Sequence, residues 1–220
     1  MEKYLRKLKP AMLKYMHAHY SEDEVQRRWK KVEELDARWF HEEGDLGGHA
    51  NMMASNMMLC YAMCAFYEAV DRRFTREEFY AMVREEMAGT FCLLNRFDMN
   101  KLEQKKWLVK LVYRFAERYK RHSDRRRGNS WGNTWRLRIN PHGHERGIAY
   151  VLDSCPLYEF AQKYGYMDFL PNMCTLDQLV ARQFHAHLIR HHILSDGDAT
   201  CDYWYVGDQS PEAFSDIGSK

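Results

Sequence analysis

The chain has 220 residues, 45% hydrophobic and 29% charged, and its 33 Lys and Arg against 31 Asp and Glu leave a formal charge of +2. That balance gives no general pull toward nucleic acid or an anionic membrane, and the sequence implies neither partner. The length and apolar fraction suit a single structural unit whose core needs no disulfide framework.

Residues 1–16 alternate basic and apolar residues and lack the continuous apolar core of an export signal. The six cysteines, at 60, 64, 92, 155, 174 and 201, are therefore expected as reduced thiols in a soluble, cytoplasmic protein. Ser21 and Glu24 frame a capping box with acids in the first turn. Val25, Trp29, Val32, Leu35 and Trp39 follow at helical spacing, and the helix stops near Gly44. Residues 44–48 are a turn. The most apolar stretch, residues 52–70, carries Asn56 and Glu68, so a buried helix over 49–72 is expected and no transmembrane span. Thr75 and Glu78 start another helix that reaches residue 91. A further helix is expected over 100–120, with Trp107, Leu108, Leu111, Val112 and Phe115 on its inner side.

Residues 122–133 break the composition with Arg125, Arg126, Arg127, Gly128 and Gly132. They read as an exposed connector, whose arginines either grip phosphate or form a solvated basic loop. Beyond it, Trp135, Leu137 and Ile139 alternate with polar residues, which marks a half-buried strand. Pro141 and Gly143 make a turn, and residues 147–152 read as a second strand. Residues 155–164 read as a helix closed by Gly165, residues 176–192 as another, and residues 201–206 as a third strand. The tail after Gly207 is polar and expected to be loose. The fold expected is α+β: a helical N-terminal half, residues 1–121, packed on a small antiparallel-sheet C-terminal half, residues 134–207.

The chemistry-bearing residues concentrate in the second half. Cys155 follows a strand and opens a helix, with Pro156 suited to the first helical position. A thiol there feels the positive end of the helix dipole, which favours a thiolate nucleophile or metal ligand. The alternative is a small buried residue at a strand–helix junction. Cys174 and Cys201 also sit at element boundaries. With Cys155 and either His185 or Asp177 they could converge on zinc, though no C-x-x-C pair is present and no cofactor is demanded. Cys60 and Cys64 read as packed core, and His187 and His191, at helical i, i+4 spacing, read as surface. Arg190 can present a planar fork to a carboxylate, or form a structural ion pair with Asp177 or Asp202. Asp198 and Asp202 flank Cys201 and can orient a water, hold an amine or cap the turn at Gly197.

The order of these residues resembles the L-2-amino-thiazoline-4-carboxylic acid hydrolase family. The likeness is carried by Cys155 with Pro156 and Tyr158, Gly165, Cys174 with Asp177, then Arg190, Gly197, and Cys201 with Asp202 and Tyr203. Earlier, Leu46, Gly47 and Gly48 before the apolar helix, and Phe66, Tyr67, Glu68 and Ala69 within it, fit the same pattern, which runs from about residue 40 to 206. The sequence departs from it in its many histidines and its Phe184, His185 pair. The resemblance implies a hydrolase that opens a cyclic amidine-type C–N bond in a small heterocyclic carboxylic acid. In that reading Cys155, or a water it positions, attacks the ring carbon, Asp177 or Asp202 moves a proton, and Arg190, Gly47 and Gly48 bind substrate. A more distant similarity to small-molecule-binding domains of vinyl-reductase and haem-sensor type carries the rival reading, a non-enzymatic module that binds a small ligand or a metal. A homo-oligomer is compatible with either.

Overall fold

A computed structural model describes residues 3–91 and 97–218. Cys92 lies outside the described residues. The chain divides into two compact units, residues 1–89 with 128–133, and residues 90–127 with 134–220.

The first unit is helical. It contains α1 (Lys3–His19), α2 (Glu22–Glu43), α3 (Ala54–Ala69) and most of α4 (Arg76–Phe91). Glu24 reaches back to the Ser21 N–H at 3.3 Å, and Thr75 and Glu78 make the reciprocal bonds of a full capping box. Helix α3 is the centre of this unit. Twelve of its sixteen residues are buried, including Cys60, Tyr61, Cys64 and Phe66, and α1 and α2 pack against it. It is shorter than the 49–72 expected, because residues 48–50 form a separate 3-10 turn. Asp45 accepts the Gly47 N–H, and Asn51 Nδ2 donates to the Leu46 carbonyl, which fixes that turn.

The second unit contains α5 (Met99–Glu103), α6 (Lys106–Arg126), β1 (Arg136–Ile139), β2 (Ile148–Ser154), α7 (Pro156–Tyr164), α8 (Leu170–Cys174), α9 (Leu176–Gln183), β3 (Ala186–Ile189), β4 (Cys201–Gly207) and α10 (Pro211–Gly218). The strands form one antiparallel sheet in the order β1-β2-β4-β3. The α+β class is as expected from sequence. Tyr113 on α6 ties that helix to β2, donating to the Gly147 carbonyl and accepting the Ala149 N–H at 3.0 Å.

Three expectations fail here, each for a physical reason. The helix over 176–192 ends at Gln183. Its second half is strand β3, entered through His185, which takes a left-handed φ of 54°. His187 and His191 are thus never one helical turn apart. The tail after Gly207 forms α10, with Ser210 Oγ accepting the Ala213 N–H as a cap and Pro211 at the first position. Finally, α6 does not bury the stripe assigned to its inner side. Val109 and Ser123 are buried and Leu108 and Val112 half-buried, while Trp107, Leu111 and Phe115 face solvent.

Candidate functional site

Strand alternation sorts the sheet into two faces. Register pairs Leu152 with Cys201, Tyr150 with Tyr203, and Ile148 and Leu188 with Tyr205, so these side chains share one face. Ala149, Val151, Asp202, Trp204 and Val206 share the other. Arg190 immediately follows β3 and extends its guanidinium onto the first face.

Arg190 is only 7% exposed. Its Nη1 donates to the Cys174 carbonyl at 2.8 Å and its Nη2 to the Tyr203 hydroxyl at 2.9 Å. Asp177 Oδ2 lies 3.6 Å from Nη1. The guanidinium carbon sits 4.2 Å from the Tyr203 ring centroid, a cation–π contact. Its Nε has no hydrogen-bond partner among the described residues. Burial works against the charge, yet Tyr203, Asp177 and the neighbouring thiols hold Arg190 protonated and raise its pKa. Tyr150 and Tyr203 stack at 4.6 Å, and Tyr205 extends the row.

Beside this cation stand the Cys174 and Cys201 thiols, with Cys155 next to them. Cys155 caps α7, as its Cys-Pro sequence predicts. The Leu157 and Tyr158 N–H groups at that helix end favour its thiolate, but burial outweighs them and pushes the thiol up to about 12. Cys174 ends α8, and burial pushes it to about 11 against an opposing contact from Ser195 and the charge of Arg190. Cys201 is raised by burial too, although its sulfur accepts the Leu194 N–H at 3.2 Å and lies against Arg190. All three are free thiols; Cys201 is buried, while Cys155 and Cys174 keep part of their surface exposed even though the protein packed around their sulfurs disfavours the thiolate. Asp177, in the first turn of α9, is 36% exposed as a side chain. Although part of the side chain is exposed, the protein packed around its carboxyl raises the pKa, with Arg190 and a hydrogen bond to Tyr203 opposing the rise.

The structure therefore groups Cys155, Cys174, Cys201, Asp177 and Arg190, and adds Tyr150, Tyr203 and Tyr205, which sequence reasoning missed. The missed signal is the period of two in Cys201, Tyr203 and Tyr205, which puts all three on one face. Asp202 and His185 do not join them. Asp202 points from the opposite face and accepts the backbone N–H groups of His191 and His192, at 3.0 and 2.7 Å, so its carboxylate fixes the loop after β3. His185 lies at the other end of β3 from Arg190 and faces Asp208 at 3.5 Å. The zinc set of Cys155, Cys174, Cys201 and His185 is thus not assembled. No group of three or more His, Cys, Asp or Glu is placed to hold a metal among the described residues. Gly47 and Gly48 belong to the helical unit and are explained by their turn. Both have positive φ, and a side chain at Gly47 would collide with Trp131 at 2.3 Å.

The opposite face carries a second feature, a cavity of about 210 Å³ lined by His142, His144, His191, His192, Asp202 and Trp204. The His144 ring stacks on Trp204 at 3.9 Å. On the same face, His187 bonds Asp216 of α10 at 2.8 Å.

A family model described as L-2-amino-thiazoline-4-carboxylic acid hydrolase matches residues 55–205, which takes in every residue of the Arg190 cluster. No curated protein and no solved structure matches the chain. Among the described residues, no helix is long and apolar enough to cross a membrane.

Proposed function

From its membership of the L-2-amino-thiazoline-4-carboxylic acid hydrolase family, we propose that this chain opens a cyclic amidine-type C–N bond in a small heterocyclic carboxylic acid at the cluster around Arg190. The observation that carries this reading is the guanidinium itself. A buried cation with an unused Nε donor, beside a raised carboxyl and three thiols, is a costly arrangement that a substrate carboxylate would complete.

In the proposed reaction a water oxygen bonds to the amidine carbon and the ring C–N bond breaks. The departing nitrogen takes up a proton and a carbonyl remains. Asp177 is the proton carrier, because desolvation moves its pKa toward the working range of a general acid–base. Asp202 has no such freedom, since backbone N–H groups occupy it. Water is the attacking group in preference to Cys155, whose thiol stays protonated at neutral pH. Arg190 holds the substrate carboxylate through Nε.

The test is incubation of the purified protein with thiazoline, hydantoin and thiohydantoin carboxylic acids, read by mass spectrometry. The expected product is heavier than one of these substrates by one water. A second reading, a binding module, is favoured by the protonated state of all three thiols. Thermal stabilisation by such an acid without turnover would select it.

A further inference from the structure

The outer face of α6 carries three large apolar side chains exposed to solvent. Trp107, Leu111 and Phe115 are spaced four residues apart and are 66%, 51% and 61% exposed. At 100° per residue they form one stripe, and Lys110, Arg114 and Arg121 lie along its edge. Arg118 and Arg125 continue the same stripe toward the helix C-terminus. All five of these basic residues are exposed, and none pairs with a carboxylate among the described residues. The face is thus apolar in its first half and cationic in its second. Arg118, Arg121, His122 and Arg125 together line a shallow open depression. From Trp107 to Arg125 the stripe runs about 27 Å at 1.5 Å per residue.

We propose that this face of α6 docks on an anionic lipid surface, with Trp107, Leu111 and Phe115 entering the headgroup–acyl boundary and the arginines holding lipid phosphates. A helix with large apolar side chains on one side and Lys and Arg beside them has the composition of a helix that lies in a membrane interface. Tryptophan at the rim suits the interfacial level. The charge argues against the other occupants. A second copy would set like charges against each other in parallel register, and cationic side chains against the apolar half in antiparallel register. Nucleic acid would satisfy the arginines and leave Trp107, Leu111 and Phe115 without an apolar partner. The formal charge of +2 for the whole chain conceals this face, because the acids lie elsewhere: α6 carries only Glu117 and Asp124, and Asp124 is paired with Lys120 at 2.6 Å.

The experiment is co-sedimentation of the full chain with vesicles of phosphatidylcholine alone and of phosphatidylcholine mixed with phosphatidylserine. Binding to the acidic vesicles only, weakening with salt, is expected. Each arginine near the surface is worth about fivefold in affinity. Changing Arg114, Arg118 and Arg121 together to Gln should therefore weaken binding on the order of a hundredfold. Changing Trp107 and Phe115 to Ser should abolish it. Far-UV circular dichroism should be unchanged in both variants. Absence of binding to acidic vesicles by the parent chain overturns the proposal, as does binding that survives both sets of substitutions. Concentration-dependent dimers that dissociate on the Trp107 and Phe115 changes would assign the face to a second copy, and tight retention on DNA without vesicle binding would assign it to nucleic acid. Either result overturns the lipid assignment.

Discussion

The two faces of the four-stranded sheet handle polar groups in opposite ways. On the face of Tyr150, Cys201 and Tyr203, Arg190 is buried with one donor unused and Asp177 is raised by desolvation. On the other face the carboxylates are held by local partners: Asp202 accepts two loop N–H groups, Asp153 pairs with Arg138 at 2.9 Å, and one oxygen of Asp216 accepts from His187. Apolar packing of Ile189, Val206 and Ala213 beside them completes an ordinary half-core. Satisfied polar groups stabilise a fold, while incompletely satisfied ones in a dry setting store the capacity to bind and to move protons.

The largest effect should come from the first face. Asp177→Asn removes the proton carrier and should lower turnover by about 10²–10⁴, with melting temperature nearly unchanged. Steady-state kinetics on whichever acid is opened would read this. Normal turnover in a folded Asp177→Asn protein would remove the distinction between the faces. Next comes Arg190→Ala, which leaves Asp177, the Tyr203 hydroxyl and the Cys174 carbonyl without their shared donor. Breaking a buried charged cluster costs about 3–5 kcal/mol, measurable by urea unfolding. Arg190→Lys should recover part of that stability but still raise KM, because an ammonium cannot reproduce the two directed N–H bonds of the guanidinium and also present its planar Nε donor.

How far this contrast could be seen in the sequence depends on the kind of signal. Strands β1 and β2 and helix α7 were legible because alternation and a Cys-Pro junction are local. Strand β3 was not. Residues 176–192 contain no Gly or Pro, and the reversal falls on His185, whose left-handed backbone nothing in its neighbours announces. Helix α10 had a local signal, Ser210 and Pro211, outweighed by a polar composition. The apolar stripe of α6 was legible as a stripe, but periodicity says only that a face is apolar and not that anything covers it. In the candidate site, Cys155, Cys174, Asp177, Arg190 and Cys201 were visible through their order in the chain. Asp202 was grouped with its neighbour Cys201, although adjacent strand residues point to opposite faces.

That last point can be tested directly. Asp202→Ala should cost about 1–2 kcal/mol by freeing the His191 and His192 N–H groups, which can turn to water. Chemical ring opening, measured at saturating substrate, should change little. A loss as large as that for Asp177→Asn would mean that the loop after β3 positions Arg190 more tightly than a backbone clamp suggests.

The smallest effect at neutral pH, and the most specific to one face, concerns the thiols. Burial raises Cys155 from about 9 to about 12 and Cys174 to about 11. The unfolded chain exposes both thiols at ordinary pKa values. Below pH 9 both states keep the protons and the shifts contribute no slope. Above it the unfolded chain loses protons that the folded chain retains, so stability falls as pH rises from about 9 to about 12. Thermal unfolding at a series of alkaline pH values should show that decline in the parent protein. Cys155→Ala should make it shallower without altering the melting temperature much at pH 7, whereas Asp202→Ala should lower the melting temperature at every pH and keep the parent's slope. Identical slopes in the parent and the Cys155→Ala protein would mean that water reaches the Cys155 thiol, and the argument for water as the attacking group would then lose its basis.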